Sequence, residues 1–550
     1  KGTRIRPTTG ASSGMEPGAR QSKWLLSLAP RFGIINKILS KEKLAVLDYI
    51  LDTTEKYIAA MPKDQRKKYG QFFTSKATAI FMAGLYKPCW EKAKSVSVLD
   101  TGAGSGILSV ALLERLTTSK LKEVSLTCYE NDKKIIPLLR ANLNYVLDHV
   151  PFKLNFEIVE ANYITSQASE FNSDLFSQGQ SKKYDLIIGN PPYLKVPGAS
   201  IEAKSMPSIC YGAPNLYFLF AAMALFNLKD KKEMVYIIPR SWTSGAYFEH
   251  FRRYFLSVGK LKHIHLFVSR DKVFEHENVL QETIIIKVEK STVKPKSIKI
   301  SCSNSNNDFA KIHAITLPYN VVVSDLNNYV YLVTKRSEAE LLEKMGRWTD
   351  TLPSIGLKMK TGLTVDFREW QYLKDVAGEN TAPMFFAQHI KNGHIVYPTG
   401  KHGEYLLRGK AGLLQKNSNY LFVKRFTSKE EKRRLQCGIY LSKQFPDFDV
   451  ISTQNKINFI DNREHSLDEA AVYGLYVLFN STAYDTYYRI LNGSTQVNST
   501  EINTLPVPKL TLIKEMGAKL MAAKDLSVGT CDQILEAYLH GEEGRSEKVS

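Results

Sequence analysis

The 550-residue chain is 43% hydrophobic and 23% charged, the balance of a globular protein, and no apolar stretch is long enough to span a bilayer. Its 74 Lys and Arg against 55 Asp and Glu give a formal charge of +19, which favours a polyanionic partner such as nucleic acid without demanding one. The 6 cysteines are scattered with no C-x-x-C pair, which excludes a zinc ribbon, disfavours a disulfide framework and points to a reducing, cytoplasmic setting.

Residues 1–22 are basic and rich in Gly, Ser and Thr, with no apolar run after them, and read as a flexible leader rather than a signal peptide. "KEKLAVLDYILDTTEKYIAAM" then has the spacing of an amphipathic helix. Strands are predicted at 96–100, 124–130, 156–164, 184–190, 233–239 and 282–290, with helical segments between the earlier ones. This alternation predicts an α/β domain with a mostly parallel sheet over 23–320, N-terminal helices included. "SCSNSNND" reads as loop, and beyond it short strands, Gly-rich turns and basic clusters predict a mixed α+β second domain over 321–550, closing with a helix.

The chemistry begins at "LDTGAGSGILSVAL", a strand, a Gly-rich turn and a helix. Gly102, Gly104 and Gly106 allow a backbone to approach a ligand at a helix N-terminus. The G-x-G-x-G spacing departs from the dinucleotide fingerprint, and Asp100 before it would repel a pyrophosphate but attract an ammonium. That favours S-adenosylmethionine over a dinucleotide. Glu130, ending the next strand, could hold both ribose hydroxyls; the bland alternative is a structural turn and a surface acid.

"YDLIIGNPPY" supplies a second set of groups. In an open parallel sheet, ligands lie beyond the carboxyl ends of the strands, so Asn190 reaches the same edge as Asp100 and Glu130. Pro191 and Pro192 lock φ and stiffen the turn. The Asn190 side-chain oxygen and the Pro191 carbonyl are acceptors suited to an NH2 group, and Tyr193 offers a flat face to a planar ring. Alone, the quartet fits adenine, cytosine or a glutamine amide.

With "YGQFFTSKATAIFMAGL" before the cofactor loop and the quartet after it, the chain resembles the gamma-class adenine-N6 DNA methyltransferases of restriction–modification systems. "KTGLTVDFR" and "NGSTQVNSTEINTLPVP" look like the BsuBI/PstI type, and the resemblance runs over most of 65–510. It implies a Rossmann-like S-adenosylmethionine-dependent methyltransferase domain followed by a DNA target-recognition domain. It further implies that Thr74 and Asp100 hold the methionine end, that Glu130 holds the ribose and that Phe72 helps enclose the cofactor. Tyr163 would lie against the cofactor adenine, with Asn162 where the family commonly carries an acid for the adenine amino group. Phe274 matches the aromatic that stacks on a flipped base, Phe267 being its competitor.

DNA recognition needs cations for phosphates and side chains for base edges. Arg368, Lys424, Arg425, Ser494, Thr495 and Gln496 are the candidates in the basic C-terminal half, where "FVKRFTSKEEKRRL" is equally readable as a solvated face. His389 and His394 have no accompanying Cys or acid cluster, so no metal is expected. The implied reaction is methyl transfer to the N6 of an adenine flipped out of double-stranded DNA, protecting host DNA from an endonuclease that reads the same site without being necessarily bound. An RNA adenine methyltransferase and a protein glutamine-N5 methyltransferase are the alternatives; the latter leaves the basic half unexplained.

Overall fold

The computed structural model describes residues 45–60, 62, 73–87, 93–173, 182–267, 283–305, 309–428, 431–462, 464–492 and 495–539. Short apolar runs build nine strands: β1 (Ser95–Asp100), β2 (Glu123–Tyr129), β3 (Lys153–Val159), β4 (Tyr184–Gly189), β5 (Leu228–Pro239), β6 (Gly259–Phe267), β7 (Thr283–Lys290), β8 (Ser297–Ser303) and β9 (His313–Pro318). They form one sheet in the order β3-β2-β1-β4-β5-β7-β6-β8-β9. The first five strands are parallel, whereas β7 runs antiparallel to both β5 and β6 and β9 antiparallel to β8. Five of the eight pairings between described strands are parallel, as expected, and antiparallel β7 and β9 make the sheet a mixed one.

Helices α1 (Ala45–Ala60), α2 (Lys76–Gly84), α3 (Ile107–Leu116) and α4 (Ile136–Leu147) share one buried core with the sheet. Helices α5 (Leu216–Asn227) and α6 (Glu249–Val258) belong to a second core. Every residue of α5 is buried, as its uninterrupted "LYFLFAAMALF" requires. Strand order reverses at β1 between β2 and β4, which opens a crevice at their carboxyl ends.

Two predicted boundaries shift. The third strand ends at Val159, and Asn162 instead caps a short helix over Tyr163–Ser166. "SCS" of the expected loop is the end of β8: Ser301 Oγ lies 2.7 Å from His263 Nε2 and 2.8 Å from His265 Nδ1, and Ser303 Oγ lies 3.0 Å from His265 Nε2. Polar residues that satisfy one another inside the sheet read as a loop in sequence.

Beyond the large sheet, α7 (Arg336–Met345) leads into a six-stranded sheet over Leu357–Thr361, Ile457–Asn462, Tyr420–Lys424, Cys437–Tyr440, Gly393–Ile395 and Ile390–Lys391 in spatial order. A five-stranded sheet joins Leu373–Lys374, Tyr405–Leu407, Thr381–Phe385, Val450–Thr453 and Gln415–Lys416. His389 is buried with its Nε2 2.7 Å from Glu404 Oε1, a structural clasp in this part of the chain. Helices α8 (Glu469–Asn480), α9 (Thr482–Leu491), α10 (Leu510–Ala523) and α11 (Val528–Leu539) follow.

The core does not break near 320. One continuous buried cluster runs from Leu99 and α5 through Val330–Val333 and Met345 to Leu475, Ile513 and Leu535. A polar seam accompanies it. Glu501 is 2% exposed and accepts hydrogen bonds from Ser244 Oγ (2.9 Å), Tyr488 OH (3.3 Å) and Asn492 Nδ2. Buried Arg252 donates to the carbonyls of Trp242, Ser244 and Gly245, fixing the loop that meets Glu501. Among the described residues no helix is long and apolar enough to cross a membrane.

Candidate active site

A cavity of about 300 Å³ lies at the carboxyl ends of β1, β2 and β4. Gly102 and Gly104 of the turn after β1 line it, and Gly106 at φ +94° ends that turn with the left-handed backbone from which α3 starts. Glu130 lies beside them. Its Oε2 accepts from Gly104 N (2.8 Å), and its Oε1 accepts from Asn131 N (2.8 Å) and Asp132 N (2.9 Å). Burial raises the Glu130 carboxyl while these donors pull it down.

Asp100 is placed differently from the expectation that it faces the ligand. It is 1% exposed and is not among the cavity-lining residues; its Oδ2 accepts from Ser109 Oγ of α3 at 2.7 Å. The carboxylate thus braces the Gly-rich turn against the helix that follows it. Burial pushes its pKa up to about 6 from an ordinary 3.8, against the lowering effect of the Ser109 and Gly102 donors.

A raised carboxyl pKa means that the folded chain holds a proton that the unfolded chain has already released. The associated stability is present below the unfolded value and is lost as pH rises through about 6. Asp100→Asn should remove this dependence. The gap in unfolding free energy between variant and wild type should then change by about 3 kcal/mol between acid and neutral pH. A gap constant with pH in denaturant titrations would sink that assignment.

Asn190 sits where β4 leaves the sheet, on the cavity. Its Nδ2 donates to Thr74 Oγ1 at 3.2 Å, and its Oδ1 accepts from Tyr193 OH at 2.9 Å. The same hydroxyl lies 3.0 Å from the Ile237 carbonyl of β5. Tyr193 does not line this cavity. It is 8% exposed, packs edge-on against Tyr217 and orients the Asn190 amide from behind. Pro192 and Thr74 line the cavity, while Pro191 is buried.

Tyr163 also lines the cavity, with its ring 4.9 Å from that of Tyr129 and 5.5 Å from that of Phe220, and its OH donating to Asn227 Oδ1 at 2.7 Å. Asn162 lines it too, but its Oδ1 accepts from Ile164 N (3.0 Å) and Thr165 N (3.3 Å) as a helix cap. Phe73, Tyr129, Glu202 and Phe220 are cavity residues to which the sequence reading gave no role. "NLYFLF" and "QFFT" were the available signals for Phe220 and Phe73; nothing local marked Glu202. Phe72, Phe274 and Ser494 lie outside the described residues.

A second chamber of about 380 Å³ separates the 241–248 loop from the C-terminal half. Arg425 lines it and donates to Asn455 O (3.0 Å) and Gln496 Oε1 (3.3 Å), while Thr495 O accepts from Thr427 N at 3.2 Å. The structure thus gathers Arg425, Thr495 and Gln496 from distant segments. Lys424 faces another cavity, with Lys391 and Arg433. Arg434 is fully buried against Thr427 and Asn492 and leaves the solvated run. Arg368 is exposed beside Phe367 and Trp370, each 71% exposed. Among the described residues no group of three or more His, Cys, Asp or Glu could hold a metal ion.

A sheet in this order, with a Gly-rich turn after β1, an acid after β2 and Asn-Pro-Pro-Tyr after β4, is the arrangement that the sequence resemblance implies for a methyltransferase. The family model of the Eco57I restriction-modification methylase matches residues 107–274. The chain is 34% identical over 476 residues to the type II methyltransferase M.BsuBI of Bacillus subtilis, covering 85% of this chain and 93% of that one. It is likewise 34% identical over 459 residues to M.PstI of Providencia stuartii, covering 80% and 87%. The chain belongs to this family of type II restriction–modification methyltransferases. In fold it is similar to the type IIL restriction-modification enzyme MmeI solved in complex with DNA, with a TM-score of 0.52 at 13% identity over 95% of this chain and 76% of that one.

Proposed function

We propose that the chain transfers a methyl group from S-adenosylmethionine to the exocyclic N6 of an adenine flipped out of double-stranded DNA, within a specific target sequence. The single observation that carries this reading is the Asn190 amide, fixed between Thr74 and Tyr193 on the cavity that holds Glu130. The cavity fits such a cofactor: a glycine turn for close backbone approach, a carboxylate for ribose hydroxyls and an aromatic wall at Tyr163. Once bound, the cofactor supplies a methyl group on a sulfonium.

The chain's own part is to position and polarise. An adenine amino nitrogen shares its lone pair with the ring and is a poor nucleophile. The Asn190 oxygen and the Pro191 carbonyl, by accepting its two hydrogens, would favour a tetrahedral nitrogen whose lone pair is free to attack. Asn190 and the Pro191 carbonyl would hold N6 throughout the transfer, and the proton that N6 sheds on gaining the methyl group would pass to solvent. A base buried in a duplex cannot reach Asn190, hence the flip. Arg425 at the second chamber, Gln496 bonded to it and Thr495 next in the chain, with exposed Arg368 and with Lys424, are the proposed DNA contacts. The catalytic part is residues 23–320 and the target-recognition part lies in 321–550, its specificity concentrated in the sheets of 357–462. A partner endonuclease would cut the same sequence when it is unmethylated.

Incubating the purified protein with mixed-sequence DNA and S-adenosylmethionine, then sequencing for modified bases, tests the reading. N6-methyladenine confined to one short sequence is expected. Methylation of cytosine, of RNA alone or of protein alone would overturn it.

A further inference from the structure

The cofactor cavity carries two carboxylates of unlike availability. Glu130 has both oxygens engaged by three backbone N–H groups. Glu202 comes from elsewhere, the short helix Ile201–Ser205 in the connection after Asn-Pro-Pro-Tyr, yet it lines the same cavity. Its Oε1 accepts from Asn162 Nδ2 at 3.0 Å.

Asn162 is the residue from which sequence reading expects an acceptor for the cofactor's adenine amino group. Its Oδ1, with two lone pairs, already accepts from Ile164 N at 3.0 Å and Thr165 N at 3.3 Å. What the amide still offers is its NH2, which only donates, and one of its two hydrogens goes to Glu202. The side chain therefore has no acceptor left for an incoming amino group. One acceptor that does remain at this end of the cavity is the carboxylate that it holds. The neighbouring wall of Tyr129, Tyr163 and Phe220 supplies apolar faces for a planar purine.

Resting on the S-adenosylmethionine reading above, we propose that Glu202 receives the 6-amino group of the cofactor's purine, with Asn162 as the residue that positions it. A carboxylate attracts the amino hydrogens of adenine and repels the 6-oxo group of hypoxanthine. Glu202 would thus set the purine specificity of the site from a segment distant in sequence from the rest of the purine pocket.

Calorimetric titration of the full-length protein with S-adenosylhomocysteine and its 6-oxo counterpart, S-inosylhomocysteine, tests this without requiring turnover. Loss of a charge-assisted hydrogen bond corresponds to roughly tenfold to hundredfold in affinity. Wild type should prefer the adenosyl compound by at least that factor. Glu202→Ala should lose it for the adenosyl compound alone, and Glu202→Gln, which can donate to a 6-oxo group, should narrow the preference. Asn162→Asp, which keeps a cap acceptor and adds a carboxylate, should restore adenosyl affinity in the Glu202→Ala background. Thermal melting shows whether each variant is folded.

Equal binding of S-adenosylhomocysteine by wild type and folded Glu202→Ala, or an unchanged preference in Glu202→Gln, overturns the proposal. Failure of wild type itself to bind S-adenosylhomocysteine would instead defeat the cofactor reading on which it rests.

Discussion

Replacing Asn190 with Ala should lower the rate of methyl transfer by on the order of 10³-fold while leaving cofactor affinity nearly unchanged. The reasoning is local. Glu130, the Gly-rich turn and Tyr163 line the cofactor cavity and do not depend on the Asn190 side chain, whose bonds run to Thr74 and Tyr193. Removing the amide deletes the acceptor proposed for the amino group and leaves the Tyr193 hydroxyl its bond to the Ile237 carbonyl, so the turn keeps an anchor. Single-turnover methylation and calorimetry on the same preparation separate the two effects. A variant with full transfer rate would remove Asn190 from the chemistry. One that loses cofactor binding and chemistry together would make it a structural tie.

The largest loss of stability is expected far from the cavity, at the crossing of α8 and α10. A Cβ on Gly474 would lie 1.8 Å from the Ile513 carbonyl oxygen, and one on Gly517 would lie 1.8 Å from the Ala470 carbonyl oxygen. The two helices touch backbone to backbone, each through the other's glycine. Gly474→Ala must push them apart against a core that includes Leu475, Ile513 and Met516, at a cost of about 3 kcal/mol. The helical gain of Ala over Gly, about 1 kcal/mol, is too small to compensate. Denaturant titration reads the difference directly. A variant as stable as wild type would mean that the helices can separate without loss.

The α/β half of the fold is legible in the sequence because its strands are short apolar runs ending in diagnostic residues, as "VSVLD" and "YDLIIGN" do. The later half is less so. β8 hides behind serines that bond to His263 and His265, and the two C-terminal sheets pair strands far apart in sequence, such as Thr381–Phe385 beside Val450–Thr453. Local pattern carries no information about such pairings. Site residues divide the same way. Glu130 and Asn190 end strands, so the fold itself carries them to the cavity. Glu202 reaches it only through the path of a connecting segment, and no spacing rule announces that. Conversely, Asp100, Tyr193 and Arg434 have the chemistry of contact residues but are buried and bonded within the fold. A residue type states what a side chain can do; only packing decides which way it faces.

The seam around Glu501 bears on how a new target sequence can be inherited. Ser244 and Arg252 on one side, and Glu501, Tyr488 and Asn492 on the other, close over buried polar groups that would be stranded if a foreign partner supplied one half. The return of α8–α11 to the core beneath the large sheet makes the same demand on apolar surface. Between these flanks, 357–462 begins and ends on adjacent strands of one sheet, Leu357–Thr361 beside Ile457–Asn462. The two ends of that stretch meet, but its middle is tied to the helices that follow: Arg434 is buried against the seam residue Asn492, and Leu421, Leu435 and Ile460 share the core of Leu475 and Ile513, so a replaced stretch must preserve those contacts. A target sequence read by 357–462 would then be inherited together with those helices.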